Sequence, residues 1–577
     1  MCGIAGIFSK KISKDMEEKC FKMFNLLSHR GPDGEGFYQN PSNIMFHKRL
    51  SIIDVKGGKQ PIENQRYVLI ANGEIYNDPE IRNQNKNYKF VSLSDCESIL
   101  CVYEKYGING FNKLRGMFTF VIYDKLTNEL ILGRDEFGIK PLYFCFQDQA
   151  FVYSSEIQSI IKSNILKTNL NNNKIRELLQ LQFTTGRNTI FDGVLRLRPG
   201  EILILKDFEI NNSKIINKFT LKKESDIKQS FEQLENSVLL HQRSDVPYGL
   251  FFSGGIDSTL ILYLMSLINS NPINCYSIAF ETKDEDIITN ICNQFNVNLK
   301  FVRFDKNDFW NLLPTVAKAL DDPIIDYATV PTYKLAQVAK NDLKVVLTGE
   351  GGDEIFGGYG RYRSSTRAFF KKEIFKNGAF KKFQYFNKNL YGWDFDIKQQ
   401  KIRYANHRIT DLQKNQLVDF DNWLPNDLLT KLDRCLMING LEGRTPLVDK
   451  KVFQNFFFIK DNLKIHDGLG KYFVRKFLSK KLKFYNAFEK KKGFTVPITK
   501  WIPEKSKILE MILPRVSCLN YLFSKKEISR LCKMVKYNSK ASIPIWHLTF
   551  FALWYIANVE NRRTDGNTFE VLADNAK

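Results

Sequence analysis

The sequence has no uninterrupted apolar run of about 18 or more residues, the length a helix needs to cross a bilayer. It also has no basic segment followed by a long apolar stretch at its start, so a secretory signal is not expected. Its ten cysteines never fall as Cys-x-x-Cys, which gives no disulfide framework and no zinc spacing. The six histidines (His29, His47, His241, His407, His466 and His547) never stand three or four residues apart, so a histidine-based metal site is not expected. The GxxxxGK[ST] phosphate loop, the GxGxxG fingerprint and internal repeats are all missing. These absences leave a cytoplasmic globular protein with no membrane partner.

What the sequence has in excess is positive charge, with 85 Lys and Arg against 63 Asp and Glu, a net +22. The lysines are spread along the chain, and runs such as Lys490-Lys491-Lys492 are short, so a solvated surface explains them better than a nucleic-acid partner. A hydrophobic fraction of 43% over 577 residues is enough for at least two cores.

The chain reads as two halves. Up to about residue 207 short strands dominate (GIAGIF, NIMFHKRLSIIDV, YVLIANGEI, FTFVIYD, ELILGRD, LYFCF and AFVYSS), with helical stretches at Met16–Leu27 and Asp95–Tyr106. This predicts an α+β domain of packed sheets over 1–207. Residues 208–225 are polar with weak periodicity and are read as a linker, and residues 561–577 as a polar tail. Between them, over 226–560, strands alternate with helices. PYGLFF, CYSIAF, LKFVRF and LKVVLT predict an α/β domain with a parallel sheet, followed by a mostly helical region from about 365. Ligands bind such sheets beyond the C-terminal strand ends, where Ser253-Gly254-Gly255-Ile256-Asp257-Ser258 and Gly349-Glu350-Gly351-Gly352-Asp353-Glu354 both fall.

Cys2 becomes the first residue once Met1 is removed, and its α-amine, with a reference pKa of about 7.7–8.0, can act as general base for its own thiol. That matters because no histidine stands near it in the sequence. Five segments occur in order: MCGIAG, His29-Arg30-Gly31-Pro32-Asp33-Gly34, Arg49-Leu50-Ser51-Ile52-Ile53-Asp54, Asn72-Gly73-Glu74-Ile75-Tyr76-Asn77 and Ser94-Asp95-Cys96-Glu97. Together they resemble the glutaminase domain of class II amidotransferases, specifically that of asparagine synthetases, an N-terminal nucleophile hydrolase sandwich. The resemblance implies glutamine bound by Arg49, Ile52, Glu74 and Asp95. It implies attack by Cys2, with the oxyanion held by Asn72 and Gly73. The HRGPDG segment is read equally as a structural turn and as a loop closing over this site.

The SGGxDS loop directly after a strand resembles the pyrophosphate loop of ATP pyrophosphatase-type ligases, built on glycines and a helix N-terminus. The resemblance implies nucleotide contacts from Phe251, Ser253, Gly254, Gly255, Asp257, Ser258, Ile278, Thr348 and Gly349. It also implies Mg2+ at Asp257 and Asp353, Glu350 at the acyl-adenylate, and Lys471 neutralising phosphate charge. With the LEGRTPLVD and KKGFTVPI segments, the likeness covers roughly residues 2–505. The implied reaction is ATP-dependent, glutamine-hydrolysing asparagine synthesis with ammonia passed internally, ATP and Mg2+ required, and a homodimer as the assembly it admits.

Three departures from the family pattern stand out. Gly443 and Thr445 replace the usual Ala and Val and are expected to alter the wall near the acyl acceptor. The stretch Phe280–Phe295 lacks a Tyr-Asp-Glu cluster, and residues 298–304 lack a His-x-x-x-His-like strand. The runner-up is therefore an amidotransferase of the same architecture acting on another carboxylate, such as a cell-envelope sugar or peptide acid. A non-catalytic RNA-binding protein, motivated by charge, ranks below it because Cys2, Asp257, Glu350 and Asp353 are all present.

Overall fold

In a computed structural model, residues 2–216, 225–280, 282–366, 378–489 and 496–576 are described. The strand-rich first half forms two six-stranded antiparallel sheets. In spatial order one contains Leu195–Arg196, Tyr143–Gln147, Ala150–Ser154, Gly3–Ser9, Asn43–Arg49 and Gly34–Asn40. The other contains Glu209–Ile215, Glu201–Lys206, Glu129–Arg134, Gly116–Asp124, Tyr67–Ile75 and Ile62–Glu63.

Period-two alternation explains the layering. Ile4 and Phe8 face Val68 and Ile70 of the opposite sheet across a shared core. The intervening Ala5 and Ile7 turn outward onto Cys20, Met23 and Phe24 of helix Lys14–Asn25. On the far side Leu69 and Ala71 meet Ile99 and Val102 of helix Glu97–Tyr106. The result is a helix–sheet–sheet–helix sandwich, the fold expected for an N-terminal nucleophile hydrolase.

Two expectations change here. The long strand predicted from Asn43 stops at Arg49, because Arg49 turns back to bind the carbonyls of Ile53, Asp54 and Val55. The expected linker opens with a strand, Glu209–Ile215, paired to Glu201–Lys206. It reads as polar because it is an exposed edge strand with no second neighbour to pack against. Most of its remainder, 217–224, lies outside the described residues, as do 491–495 of the KKGFTVPI segment.

The second half is built on a five-stranded sheet, parallel throughout: Tyr248–Phe251, Ile273–Ser277, Val297–Phe301, Val345–Leu347 and Glu442–Arg444. The short fifth strand lies inside the region expected to be mostly helical. In space the order is third, second, first, fourth, fifth. Strand order therefore reverses between Tyr248–Phe251 and Val345–Leu347, and the crevice of a doubly wound sheet opens at that point. Both Gly-rich loops leave these two strands, so the topology brings them together.

The C-terminal half is otherwise helical, with Ser542–Asn558 buried along nearly its whole length. Among the described residues no helix is long and apolar enough to cross a membrane. The expected polar tail is folded in part: helix Thr568–Asp574, opened by an Asn567–Glu570 capping box, buries Val571 and Leu572. Thr568 Oγ1 donates to Trp310 O at 2.7 Å and the Phe569 ring lies 5.1 Å from that of Trp310.

The two halves lock through two charged pairs and a backbone-to-carboxylate bond. Arg115 grips Asp449 with two bonds of 2.7 and 3.0 Å, Lys450 reaches Glu136 at 2.5 Å, and Asp54 N donates to Asp245 Oδ2 at 2.8 Å.

Candidate active sites

Cys2 precedes a central strand of the first sheet and Asn72 sits in a strand of the second, so the sandwich itself brings them together. The Cys2 backbone N donates to Asn72 Oδ1 at 2.9 Å. Asn72 is fully buried, and its Nδ2 has no partner among the described residues. A buried amide donor left unpaired is costly, so this one is set for an acceptor that arrives from outside. Gly73 must be glycine, since a Cβ there would stand 2.0 Å from Met117 O.

Glu74 and Asp95 are buried beside one another. Asp95 Oδ2 accepts from Ile75 N at 2.6 Å, and Glu74 Oε2 accepts from Arg444 at 3.3 Å while its Oε1 is unpaired. Burial pushes Asp95 up to about 6. Burial and the Asp95 charge push Glu74 well above the usual range, with Arg444 opposing. The Cys2 thiol is pushed up by burial, while the Leu50 N–H and Arg49 pull it down. Arg49 and Ile52 order the adjoining loop: Arg49 donates to Asp54 O at 2.6 Å, and Ile52 O accepts from Asp245 N at 3.0 Å.

Some 250 residues further on, the SGGxDS loop closes on itself. Ser253 N donates to Ser258 Oγ at 3.3 Å, Gly255 N to Ser253 Oγ at 3.3 Å, and Gly254 takes φ +63°. Helix Ile256–Ile268 starts here with no side chain capping it, so its first-turn N–H groups point into the crevice. Lys471 Nζ lies 2.5 Å from Asp257 Oδ2 and 2.8 Å from Asp353 Oδ1, bridging the two loops. Gly352 permits this approach, because a Cβ on it would fall 2.4 Å from Asp257 Cγ. Burial pushes Asp257 up to about 6, with Lys471 pulling it down and Asp353 raising it again.

Thr348 N is held by Arg444 O at 2.9 Å, and Gly349 packs against Asp257. Phe251 ends its strand, and Ile278 lies buried just beyond the neighbouring one. Glu350 opens onto a cavity of about 260 Å3 and faces Lys431 at 3.7 Å; burial raises its carboxyl and Lys431 opposes.

Sequence reasoning missed several residues that connect these sites. Lys431 pairs with Asp326 at 3.0 Å, and Arg30, Asp433 and Arg434 form a buried charged network between the domains. Buried Lys140, its ammonium disfavoured by burial, lies near Asp433 and Glu442, which counteract that effect. Their signal was weak because isolated charges on helices and turns read as surface. Within the HRGPDG segment Arg30 is fully buried and Gly31 lies against the Lys48 carbonyl with no room for a Cβ, while Pro32 and Asp33 are exposed. Gly443 sits in the buried fifth strand against Leu432 and Leu436, Thr445 is buried just beyond that strand, and the residues lining the cavity beside Glu350 include neither.

A thiol at the start of a nucleophile-hydrolase sandwich, joined to a parallel-sheet domain with a phosphate loop at its switch point, defines a class: a glutamine amidotransferase fused to an ATP-pyrophosphatase-type ligase. Residues 1–216 match the glutamine amidotransferase domain model and residues 231–556 the asparagine synthase model. The chain is 30% identical to asparagine synthetase [glutamine-hydrolyzing] 1 of Bacillus subtilis (strain 168), covering 97% of this chain and 98% of that protein. It is 29% identical to a putative asparagine synthetase [glutamine-hydrolyzing] of Mycobacterium tuberculosis (strain ATCC 25618 / H37Rv) over 93% of each. Against asparagine synthetase B [glutamine-hydrolyzing] of Escherichia coli (strain K12) it is 29% identical over 62% of this chain and 65% of that one. The chain belongs to the asparagine synthase family.

Proposed function

We propose that the chain makes asparagine from aspartate, glutamine and ATP. The Cys2 thiolate attacks the glutamine side-chain amide, Asn72 Nδ2 and Gly73 N–H receive the oxyanion, and the protonated nitrogen leaves as ammonia; water then hydrolyses the γ-glutamyl thioester, which releases glutamate and frees the thiol. Arg49 takes the glutamine carboxylate, and the acids Glu74 and Asp95 take its ammonium. In the second site ATP loses pyrophosphate as the aspartate β-carboxylate attacks the α-phosphate, and ammonia then displaces AMP from the β-aspartyl-adenylate. Ser253, Gly254, Gly255 and Ser258 cradle phosphate oxygens, Phe251, Ile278, Thr348 and Gly349 border the nucleotide, and Lys471 moves from the carboxylates to the phosphates. Glu350 adjoins the reacting carboxylate in the cavity it shares with Asp326 and Lys431.

Mg2+ fits at Asp257 and Asp353: Asp257 Oδ1 is buried without a partner among the described residues, and carboxylate with phosphate oxygen is a magnesium donor set. Bound there, the ion would neutralise phosphate charge. Internal passage of ammonia is supported by one apolar cluster that runs from Leu50, Ile52 and Met117 to Leu347 and Val448. Ten free cysteines fit the reducing cytoplasm.

The observation that carries this reading is the pairing, in one folded chain, of the unpaired Asn72 donor beside Cys2 with the Asp257–Lys471–Asp353 bridge. Supplying amide-15N glutamine, aspartate and ATP tests it. Asparagine labelled in its side-chain amide, formed one-for-one with AMP and pyrophosphate, is expected. Intact glutaminase with no asparagine would sink it in favour of another acceptor carboxylate.

A further inference from the structure

One short helix of the synthetase domain, Thr430–Met437, touches both sites. Lys431 in its first turn faces Asp326 and Glu350, at 3.0 and 3.7 Å. Asp433, two residues on and so about 200° around the helix, points the other way into the glutaminase domain. There its two oxygens accept from Arg30 Nη1 and Nη2 at 2.8 and 3.1 Å, a fork-to-fork pairing across 403 residues of sequence. The same guanidinium donates from Nε to the Cys2 carbonyl at 3.1 Å and from Nη1 to Glu156 at 2.9 Å.

Arg434 braces the arrangement from behind. It donates to Asp433 at 2.8 Å, to Asp321 at 2.6 Å and to Ser155 O at 3.2 Å, while Asp321 accepts from Ile157 N at 2.5 Å. Arg30 and Arg434 are essentially inaccessible to solvent. A buried charged network of this kind is weak as a stabilising device, since well-packed apolar groups serve as well or better. What the fork supplies is direction: it fixes where Arg30 holds the Cys2 carbonyl.

We propose that Asp433 is a positioning residue for Cys2, acting through Arg30, and that its helix ties nucleophile geometry to what occupies the site beside Glu350. The proposal rests on Cys2 being the glutaminase nucleophile. The reacting thiol and the carbonyl held by Arg30 belong to the same residue, so release of the fork lets the nucleophile drift. Displacements of about 1 Å cost catalysis on the order of 100-fold. The helix cannot shift at Lys431 without moving Asp433, which gives the second site a rigid lever on the first.

The test uses the full chain and Asp433→Asn, which keeps shape and removes one acceptor of the fork. Glutaminase kcat is expected to fall at least about tenfold with glutamine KM within about twofold. Ammonia-dependent synthesis is expected to stay within about twofold, which also reports that the synthetase domain is folded. In the unaltered chain glutaminase should rise when ATP and aspartate are added, and in the variant that response should vanish. Arg30→Lys keeps the charge and loses the fork, so it should show the same split, and the double variant should be no worse than the weaker single. This second variant carries the test if Asp433→Asn does not fold.

Unchanged glutaminase, additive effects, or equal loss of both activities would overturn the positioning role. A glutaminase in the unaltered chain that ignores ATP and aspartate would overturn the coupling. An unaltered chain with no glutaminase at all would instead remove the functional reading beneath it.

Discussion

Asn72 holds the Cys2 backbone nitrogen through its side-chain oxygen at 2.9 Å, and this leaves the other end of the amide, Nδ2, buried without a partner among the described residues. The two ends thus do different things. In the proposed mechanism the oxygen fixes the nucleophile, and the nitrogen receives negative charge that exists only once the thiolate has attacked.

Asn72→Ala removes both, and glutaminase kcat should fall by about 100- to 1,000-fold, the usual effect of deleting one oxyanion donor. Ammonia-dependent synthesis should be retained, because Asn72 lies wholly within the first sandwich. Steady-state assays with glutamine and with ammonium chloride separate the two. Parallel loss of both would place Asn72 in the fold rather than the chemistry.

The proposed roles of Lys471 and Asp257 predict a pH response of the second site. Burial pushes Asp257 up to about 6, against the pull of Lys471. On its proposed role the ionised form binds the metal–phosphate group, so kcat/KM for ATP in ammonia-dependent synthesis should show an acid limb near pH 6. Lys471→Met removes the opposing cation, which moves the limb to higher pH and lowers the plateau on the order of 100-fold or more. A limb that does not move would show that Asp257 does not set it.

The site loops were legible because they carry residues with few alternative uses: glycines flanking acids, immediately after apolar runs. Lys471 could be named for the same reason, from the short motif around it. Arg30–Asp433 could not, since its partners stand 403 residues apart and nothing in either neighbourhood marks a charge as buried. The sandwich was legible from alternation, but Glu209–Ile215 was not, because an edge strand exposed on both faces loses the apolar alternation that identifies strands. The terminal helix was hidden in the same way, its apolar contacts resting on a few residues among polar ones.

That helix makes a stability prediction. Leu572 is fully buried where the segment docks beside Trp310, so Leu572→Ala should cost about 2–5 kcal/mol. Thermal unfolding of the synthetase half should move down by several degrees, and deletion of 561–577 should move it further in the same direction. An unchanged transition in both would return this segment to the status of a loose tail.

Glu354 predicts how stability changes with pH. Its side chain is wholly buried, Oε1 accepts from Tyr359 OH at 2.6 Å, and Oε2 has no partner among the described residues. Burial first, and the neighbouring Asp353 second, push it from 4.5 up to about 8. Because the folded value lies above the unfolded one, the folded chain keeps a proton that the unfolded chain releases. The stabilisation is complete below about 4.5 and is lost as pH rises through about 8. Glu354→Gln keeps an acceptor for Tyr359 and has no proton to lose. Between pH 5.5 and 8.5 the melting temperature of the unaltered chain should therefore fall relative to that of the variant, and thermal melts at intermediate pH values should trace the crossover. A constant gap across that range would mean that Glu354 ionises no differently in the folded and unfolded states.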